Sequence, residues 1–263
     1  MEKLIIVKIG GKVIDDANAL GRFLDDFAQI PARKILVHGG GAIASRVARD
    51  LGIEPRLVDG RRITDADMLE VVVMVYGGRI NRQMVAGLQS RGCNAIGLTG
   101  ADGNLISAQK RRGWKIDYGF VGDITAVNRQ SLSALLEHHF TPVVAPLTHD
   151  GRGQLLNTNA DTMASALAQA MAADYATELY YCFEQPGVLL DITQPQSRIA
   201  TLSKSHYDRL KTDGVITRGM LPKLDTAFAA LRTGARRVKI CRAEELLAAM
   251  NGTHAVGTEL TRE

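Results

Sequence analysis

Aromatic residues are scarce in this sequence: they make up 5% of the 263 residues and include a single tryptophan. Proteins that bind single-stranded nucleic acid stack the bases on aromatic side chains, so this composition does not favour that function. The formal net charge is only +4, which does not indicate a groove for a polyanion either. We therefore expect a few local anion sites and no nucleic-acid partner.

Cysteine is also rare, and long apolar runs are absent. The three cysteines, Cys93, Cys182 and Cys241, are widely spaced and show no C-x-x-C pair. This spacing favours neither a disulfide framework nor a zinc site, and it indicates core thiols in a reducing compartment. No apolar run approaches the about 18 residues of a transmembrane helix, and the strand-like start of the chain is unlike a signal peptide. We expect a cytoplasmic protein with no membrane partner and no metal site of its own.

The sequence does contain a regular alternation of strand-like and helix-like segments. Short runs rich in β-branched or aromatic residues predict strands at 4–9, 34–38, 94–98, 141–147, 177–183 and 236–241. Helical patterns lie at 17–29, 42–51, 65–90, 129–138, 160–173, 204–212 and 220–233. This rhythm predicts an α/β fold, a three-layer sandwich with helices on both faces of a mostly parallel sheet. Residues 104–128 break the rhythm and are predicted to form an inserted β-hairpin.

A triple glycine follows the second predicted strand, in "KILVHGGGAIAS" (34–45). Glycine lets backbone N–H groups approach a negatively charged ligand without obstruction by a side chain. The stretch is not a Walker A loop, and Ala44 stands where G-x-G-x-x-G requires its last glycine. Either an anion site or a plain tight turn between strand and helix accounts for the glycines.

Two lysines occupy comparable places near predicted helix starts or strand ends. Lys8 lies one residue before the end of the first strand, in "VKIGGK", and Gly10 and Gly11 follow it. Gly219 and Lys223 lie around the start of a late helix, in "ITRGMLPKLDTA". Ligands of open α/β sheets bind beyond the carboxyl ends of the strands, so both lysines are candidates for one anion site. For Lys8, protection of an edge strand is the alternative explanation.

A third polar segment precedes an alanine-rich helix, in "NTNADTMASALAQAMAAD". Asn159 or Thr158 is predicted to cap this helix, and Asp161 falls in its first turn, where the helix dipole favours a carboxylate. Capping alone would explain Asp161, but it does not explain polar residues at the alternate positions 157, 159 and 161. Together with the lysines and the glycine turns, this segment predicts a site for phosphate chemistry.

Seven stretches, taken together, resemble the amino acid kinase family, and within it the members that phosphorylate N-acylated glutamate. They occur in the family's order between residue 4 and about residue 240: "VKIGGK", "LVHGGG", "DGRRIT", "GLTGADG", "GFVGDI", "LLNTNADTMASALA" and "GMLPKL". The resemblance implies a carbamate kinase-like sandwich. It also implies phosphoryl transfer from ATP, with Mg²⁺ carried by the nucleotide, to the γ-carboxylate of N-acetyl-L-glutamate or N-succinyl-L-glutamate. The product would be an acyl phosphate of arginine biosynthesis.

The resemblance also assigns roles to individual residues. Lys8 and Lys223 would neutralise charge on the transferred phosphoryl group, while Asp161 would hold both ammonium groups. Arg62 would bind the substrate α-carboxylate, although a solvated basic surface is the alternative and suits Arg61 better. The implied substrate-binding residues are Gly40, Gly41, Arg62, Asn157 and Asn159. The implied ATP-binding residues are Lys8, Gly10, Gly11, Glu184, Gly187, Val188, Gly219 and Lys223.

The resemblance further implies that each chain has two lobes that share the sheet. It also implies that two copies of the chain form a homodimer. Residues 1–175, with the hairpin, would bind the acyl-glutamate, and residues 176–263 would bind ATP. Arginine-inhibited members carry an extra N-terminal helix. Because this sequence begins "MEKLIIVKIGG", we expect a dimer that arginine does not inhibit.

The sequence departs from the family pattern after the strand at 177–183. The family usually carries a Ser/Thr-Asp pair there, whereas "CFEQPGVLLD" has Phe183 and Glu184. This departure concerns the contacts to adenine and ribose, and it is compatible with a non-catalytic, nucleotide-binding regulatory paralogue. Family members that act on carbamate, aspartate, glutamate or UMP are the other alternative, although "LLNTNADTMA" and "DGRRIT" favour acyl-glutamate. The choice between acetyl and succinyl is also open, and the basic run 110–112 is a candidate site for an additional carboxylate.

Overall fold

An eight-stranded sheet runs through the middle of the molecule. The computed structural model describes residues 1–58, 60–113, 115–216, 219–252 and 256–263. In chain order the strands are β1 (Lys3–Ile9), β2 (Arg33–His38), β3 (Leu57–Val58), β4 (Arg61–Arg62), β5 (Ala95–Leu98), β6 (Ile106–Lys110), β7 (Gly122–Val127), β8 (Thr141–Val144), β9 (Leu147–His149), β10 (Leu155–Asn157), β11 (Ala176–Phe183), β12 (Thr201–Ser203), β13 (Arg237–Arg242) and β14 (Thr258–Thr261). The spatial order in the large sheet is β12-β14-β13-β11-β1-β2-β8-β5. All neighbouring pairs are parallel except β13 and β14, so the predicted mostly parallel sheet is confirmed.

Helices cover both faces of this sheet. They are α1 (Lys12–Asp15), α2 (Ala17–Ala28), α3 (Gly41–Asp50), α4 (Ala66–Val72), α5 (Asn81–Gln89), α6 (Arg129–Glu137), α7 (Ala160–Met171), α8 (Lys204–Thr212), α9 (Leu221–Arg232) and α10 (Leu246–Met250). A π-helical segment, Val73–Ile80, joins α4 to α5. Within the described part of the chain, none of the helices is long and apolar enough to cross a membrane.

Successive residues of β1 contribute to two different cores. Ile5 and Val7 pack with the side chains of α2 to α5 and α10 on one face. Leu4 and Ile6 pack with those of α6 to α9 on the other face. All four side chains are fully buried. Because a strand's side chains alternate between the faces of a sheet, burial on both sides explains the unbroken apolar runs. The predicted three-layer α/β arrangement is confirmed.

Two predicted segments differ from the observed elements. The run predicted as one strand over 141–147 forms β8, then turns at Ala145 and Pro146 and continues as β9 in a second sheet. The N–H of Leu147 donates a hydrogen bond to the carbonyl of Ala145 at 2.8 Å, so the backbone makes a tight turn around Pro146 that redirects the chain. The helix predicted over 65–90 is present, and its Gly77 and Gly78 lie within the π-helical segment.

The predicted hairpin over 104–128 is confirmed. Strands β6 and β7 pair antiparallel, and they join β9 and β10 in a four-stranded sheet of order β10-β9-β6-β7. Trp114, which belongs to the same stretch, lies outside the described residues.

The packing of α7 and α9 determines where the polar segments meet. Helix α7 packs against β1, β11 and α9. Asn159 caps the first turn of α7, where its Oδ1 accepts a hydrogen bond from the N–H of Thr162 at 3.0 Å. The N-terminal turns of both helices thereby come to the carboxyl edge of β1 and β11.

Candidate active site

A carboxylate shared by two lysines lies at this edge of the sheet. The Nζ atom of Lys8 lies 2.8 Å from Oδ1 of Asp161. The Nζ atom of Lys223 donates a hydrogen bond to Oδ2 of the same carboxylate, also at 2.8 Å. Lys8 comes from β1, Asp161 from the first turn of α7 and Lys223 from the first turn of α9. The structure thus brings together three residues that lie far apart in the sequence.

The ionisation of this cluster follows from its burial and its charges. Burial raises the pKa of Asp161, but the ammonium groups of Lys8 and Lys223 outweigh that effect and hold the pKa well below its usual range. Burial lowers the pKa of Lys8; the charge of Asp161 opposes this shift, and the charge of Lys223 adds to it. One carboxylate therefore holds two mutually repelling cations in place. Such a cluster is suited to a ligand with several negative charges.

Two glycine turns border the cluster. A Cβ atom on Gly10 would lie 2.5 Å from Nζ of Lys8, so a side chain there would displace the ammonium group. Gly40 has a φ of +152°, and a Cβ atom there would lie 2.3 Å from Cδ1 of Ile80. At Gly40, the positive φ and the crowding by Ile80 and Tyr76 both favour glycine. At Gly10, the crowding atom is the end of the flexible Lys8 side chain, so a larger residue there would act on the site by moving that ammonium group.

A cavity of about 310 Å³ opens beside the shared carboxylate, bounded by the second glycine turn, Leu57, residues 60–62 and the start of α7. Its lining residues are Lys8, Gly11, Gly39, Gly40, Gly41, Ala42, Leu57, Gly60, Arg61, Arg62, Tyr76, Arg111, Val121, Pro146, Asn157, Thr158, Asn159, Ala160 and Asp161. The charged members are mostly cationic, so the cavity suits a small organic anion. Asp59, which belongs to the "DGRRIT" stretch, lies outside the described residues.

Arg62 is held rigidly at the wall of this cavity. Its Nη2 atom donates hydrogen bonds to the carbonyl oxygen of Gly41 at 2.8 Å and to Oγ of Ser45 at 2.7 Å. Only 8% of the residue is exposed, so Arg62 is not part of a solvated basic surface. Arg61 is half-buried and lines the same cavity. A guanidinium group can bind a carboxylate through two parallel hydrogen bonds, and at Arg62 this would require one of the two Nη2 bonds to be exchanged for the ligand.

Both predicted asparagines also line the cavity. The side chain of Asn157 is buried, and its Nδ2 atom donates a hydrogen bond to Oγ1 of Thr64 at 2.9 Å. Asn159 uses Oδ1 to cap α7, so its oxygen has a structural role in addition to its place at the cavity. These amides provide polar groups that could contact a neutral amide of a ligand.

The remaining predicted nucleotide residues do not line the cavity. Gly187 and Val188 are buried against β14, where the N–H of Val188 donates to Oγ1 of Thr258 at 2.9 Å. Glu184 is exposed and lies against Gly11, where a Cβ atom would come within 2.8 Å of Oε2. Gly219 is exposed and precedes α9. Of these four residues, Glu184 is in contact with a residue of the cavity lining, Gly11.

The donor groups present fit a phosphate ligand better than a bare metal ion. Ammonium groups and the backbone N–H groups of glycine turns are typical partners of phosphate oxygens. Within the ranges that the structure describes, no three histidine, cysteine, aspartate or glutamate side chains are arranged to hold a metal ion. A Mg²⁺ ion bound mainly through phosphate oxygens needs only one or two protein carboxylates.

His38 lies next to the second glycine turn and is a residue to which the sequence pattern alone assigned no role. It ends β2, is fully buried, and its Nδ1 atom lies 2.8 Å from the carbonyl oxygen of Gly39. Its Nε2 atom faces Nδ2 of Asn81 at 3.2 Å, and the same Nδ2 donates to the carbonyl of Val143. Because that amide nitrogen is a donor, Nε2 accepts and the Nδ1 hydrogen binds Gly39. The sequence signal that could have identified His38 is its position as a polar residue between a buried strand and a glycine turn.

The family assignment rests on the length of the match. A family model described as "Amino acid kinase family" matches residues 3–242. The chain belongs to the amino acid kinase family. Its curated relatives in the family include an acetylglutamate kinase from Cytophaga hutchinsonii that is 54% identical over 263 residues, covering 99% of each chain. An acetylglutamate kinase from Bacteroides fragilis is 49% identical over 245 residues, covering 93% of this chain and 94% of the other.

Solved structures agree with this assignment at the level of the fold. The smu.665 protein from Streptococcus mutans UA159 is 26% identical, with a TM-score of 0.83 and coverage of 99% of both chains. The N-acetylglutamate synthase from Neisseria gonorrhoeae, complexed with coenzyme A and N-acetyl-glutamate, is 21% identical with a TM-score of 0.84. This chain is covered completely in that comparison and spans 60% of the synthase chain.

The buried, neutral His38 predicts a specific pH dependence of stability. Burial lowers its pKa from 6.5 to about 4, so below about pH 6.5 the unfolded chain takes up a proton that the folded protein does not. The free energy of unfolding should therefore decrease as the pH falls from about 6.5 to about 4, by up to about 1.4 kcal/mol per pH unit from this group. His38→Asn, which keeps a donor for the Gly39 carbonyl, should lose this part of the slope. Urea denaturation of both proteins across this pH range measures it, and identical slopes would contradict the assignment.

Proposed function

We propose that the protein transfers the γ-phosphoryl group of MgATP to the γ-carboxylate of N-acetyl-L-glutamate, forming an acyl phosphate in arginine biosynthesis. The observation that carries the proposal is the pair of lysines held by Asp161 at the edge of a cationic cavity. The 54% identity with an acetylglutamate kinase over nearly the whole chain supports the same function.

In this reaction, an oxygen of the substrate γ-carboxylate attacks the γ-phosphorus, and the bond from that phosphorus to the bridging oxygen of ADP breaks. The attacking carboxylate is already ionised at pH 7, so the step needs no general base. Lys8 and Lys223 stabilise the negative charge on the phosphoryl oxygens, since phosphoryl transfer depends mainly on positioning and electrostatic stabilisation. Asp161 is not consumed; it keeps both ammonium groups aimed at one point.

The acyl-glutamate is bound in the 310 Å³ cavity. Arg62 binds its α-carboxylate, with one of the Nη2 hydrogen bonds to Gly41 or Ser45 exchanged for a carboxylate oxygen. Asn157 and Asn159 contact its backbone and acyl amide. The N–H groups around Gly40 and Gly41 lie on the path from this cavity to the lysine cluster.

The nucleotide is bound on the opposite side of the lysine cluster. Gly10 and Gly11 contact its phosphates, and Glu184, Gly187, Val188 and Gly219 form the region around the rest of the nucleotide. Mg²⁺ is bound mainly by phosphate oxygens. This arrangement supports a division into a substrate lobe, 1–175, and an ATP lobe, 176–263, with the reaction between them.

The assembly and location of the protein complete the proposal. We place the enzyme in the cytoplasm as a homodimer, in keeping with three buried free thiols. Met74 is 52% exposed and lies in a surface depression with Leu69 and Leu155, and this exposed apolar side chain supports a contact between subunits there.

The acyl group is the least constrained part of the proposal. Arg111 lines the cavity and is the member of the 110–112 run best placed to bind a second carboxylate of a succinyl group. However, its Nη2 and Nε atoms already bind Asp123, at 2.5 and 3.0 Å from Oδ1. A succinyl carboxylate would have to compete with Asp123, whereas an acetyl group would not. This favours N-acetylglutamate.

The first prediction is product formation by the purified protein. With MgATP and N-acetylglutamate we expect release of ADP and formation of an acyl phosphate, which hydroxylamine traps as its hydroxamate. N-Succinylglutamate should give the corresponding products with a lower kcat/KM. Carbamate, aspartate, glutamate and UMP serve as comparison substrates. Absence of ADP release with both acyl-glutamates would instead favour a nucleotide-binding regulatory protein, and turnover of another substrate alone would favour a different kinase of the family.

The second prediction concerns Arg62. Arg62→Lys should raise the KM for the acyl-glutamate by about tenfold or more, because the charge remains while the two-pronged hydrogen bonding is lost. The KM for ATP should change little. Arg56→Lys is the matched control, because Arg56 pairs with Asp65 on the surface and its side chain is 63% exposed. Equal changes in both KM values would place Arg62 outside the acyl-glutamate cavity.

A further inference from the structure

Two aromatic rings face the ammonium group of Lys223. Its Nζ atom lies 5.7 Å from the ring centroid of Tyr181 and 5.5 Å from that of Phe183. Both rings come from the end of β11 and are two residues apart, which places them on the same face of the sheet. We call Tyr181 and Phe183 the ring pair. Phe183 is the residue that stands where the family pattern has a hydroxyl side chain.

Tyr181 is fixed with respect to the shared carboxylate. Its ring is fully buried, and its hydroxyl group donates a hydrogen bond to the backbone carbonyl of Asp161 at 3.1 Å. Burial raises the pKa of the Tyr181 hydroxyl, and the nearby charge of Asp161 raises it further, so the hydroxyl stays protonated as a donor. One side chain therefore contacts both the turn that carries Asp161 and the cation that Asp161 binds.

The two lysines have different neighbours. Lys8 belongs to a central strand and its Nζ atom lies 2.5 Å from where a Cβ of Gly10 would be, whereas Lys223 extends from the first turn of α9 and faces the ring pair. Each is a flexible four-carbon side chain, so its neighbours must fix its ammonium group. Asp161 fixes only one direction of the Lys223 ammonium group. The faces of the ring pair supply attraction from the other directions, because a cation within about 6 Å of a ring centroid interacts with the ring quadrupole. Only 14% of the Lys223 side chain is exposed, and low exposure strengthens this attraction.

We propose that the ring pair positions Lys223 for phosphoryl transfer, with Phe183 as a positioning residue that acts through the face of its ring. This inference rests on the proposed function, in which Lys223 stabilises the transferred phosphoryl group. A lysine already held in place stabilises the developing charge without having to be ordered during the reaction. The contribution of Phe183 should therefore appear in kcat, since the acyl-glutamate is bound elsewhere.

The test varies the ring at position 183 in the full-length protein. Phe183→Leu, which keeps an apolar side chain without a ring, should lower kcat by about twofold to thirtyfold, the range of a cation–π contact. The KM for N-acetylglutamate should stay unchanged. Phe183→Trp, which offers a stronger ring face, should retain a kcat close to that of the wild type.

A fluorination series separates the ring face from its shape. Phenylalanines with one, two and three ring fluorines at position 183 progressively weaken the quadrupole, so the logarithm of kcat should fall stepwise. The same series at Phe228 is the matched control, because that ring lies on α9 itself but stacks on Tyr207 at a centroid distance of 5.2 Å. A flat series at Phe183 in an active enzyme, or an equal decline at Phe228, would overturn the proposal.

An NMR measurement tests the geometry without turnover. Ring currents from the ring pair should displace the ε-methylene proton signals of Lys223, which are assigned by their loss in Lys223→Arg. In Phe183→Leu these signals should move towards ordinary lysine values, and unchanged signals would overturn the placement of Phe183. If the wild type shows this dependence but releases no ADP, the proposed function fails while the ring contact is supported.

Discussion

The ion pairs of Asp161 with Lys8 and Lys223 are the interaction on which the site depends. Two buried ammonium groups repel each other, and each would be costly to bury alone. The shared carboxylate stabilises both, at 2.8 Å from each. This cluster also constrains the fold, because β1, α7 and α9 must meet at one point. Removing the carboxylate would leave two uncompensated charges at the junction of these three elements.

The cluster adjoins two regions of different character. In one, Arg62, Asn157 and the second glycine turn surround a cavity of the size of a small organic anion. The end of β11 and the start of α9 present Glu184, Gly219 and the ring pair, none of which lines that cavity. Lys8 and Asp161 line the cavity while Lys223 comes from the start of α9, so the cluster draws on both regions. The geometry thus fits a transfer reaction better than simple binding of one ligand.

Much of the fold could be predicted from the sequence because burial on both faces leaves unbroken apolar runs, as at residues 4–7 of β1. Lys8, Asp161 and Lys223 could be predicted as one site because strand ends and helix starts meet at the same edge of a parallel sheet. Strand β14 was missed, since "TELT" carries no apolar run, and the packing of Gly187 against Thr258 was missed with it. Phe183 was noted only as a departure, because its proximity to Lys223 depends on tertiary packing that the sequence does not encode locally.

The central claim is that Asp161 holds both lysines for the transition state, and binding of a transition-state analogue tests it most directly. Calorimetry would compare MgADP alone with MgADP plus aluminium fluoride and N-acetylglutamate, in wild type, in Asp161→Asn and in Asp225→Asn. Asp225 binds Lys211 on the surface of α9, at 3.1 Å, and is the matched control. Asp161→Asn should bind MgADP nearly as the wild type does but weaken the aluminium fluoride complex by about 10²-fold or more, while Asp225→Asn changes neither. Equal weakening of both complexes in Asp161→Asn, or an unchanged aluminium fluoride complex, would contradict the account.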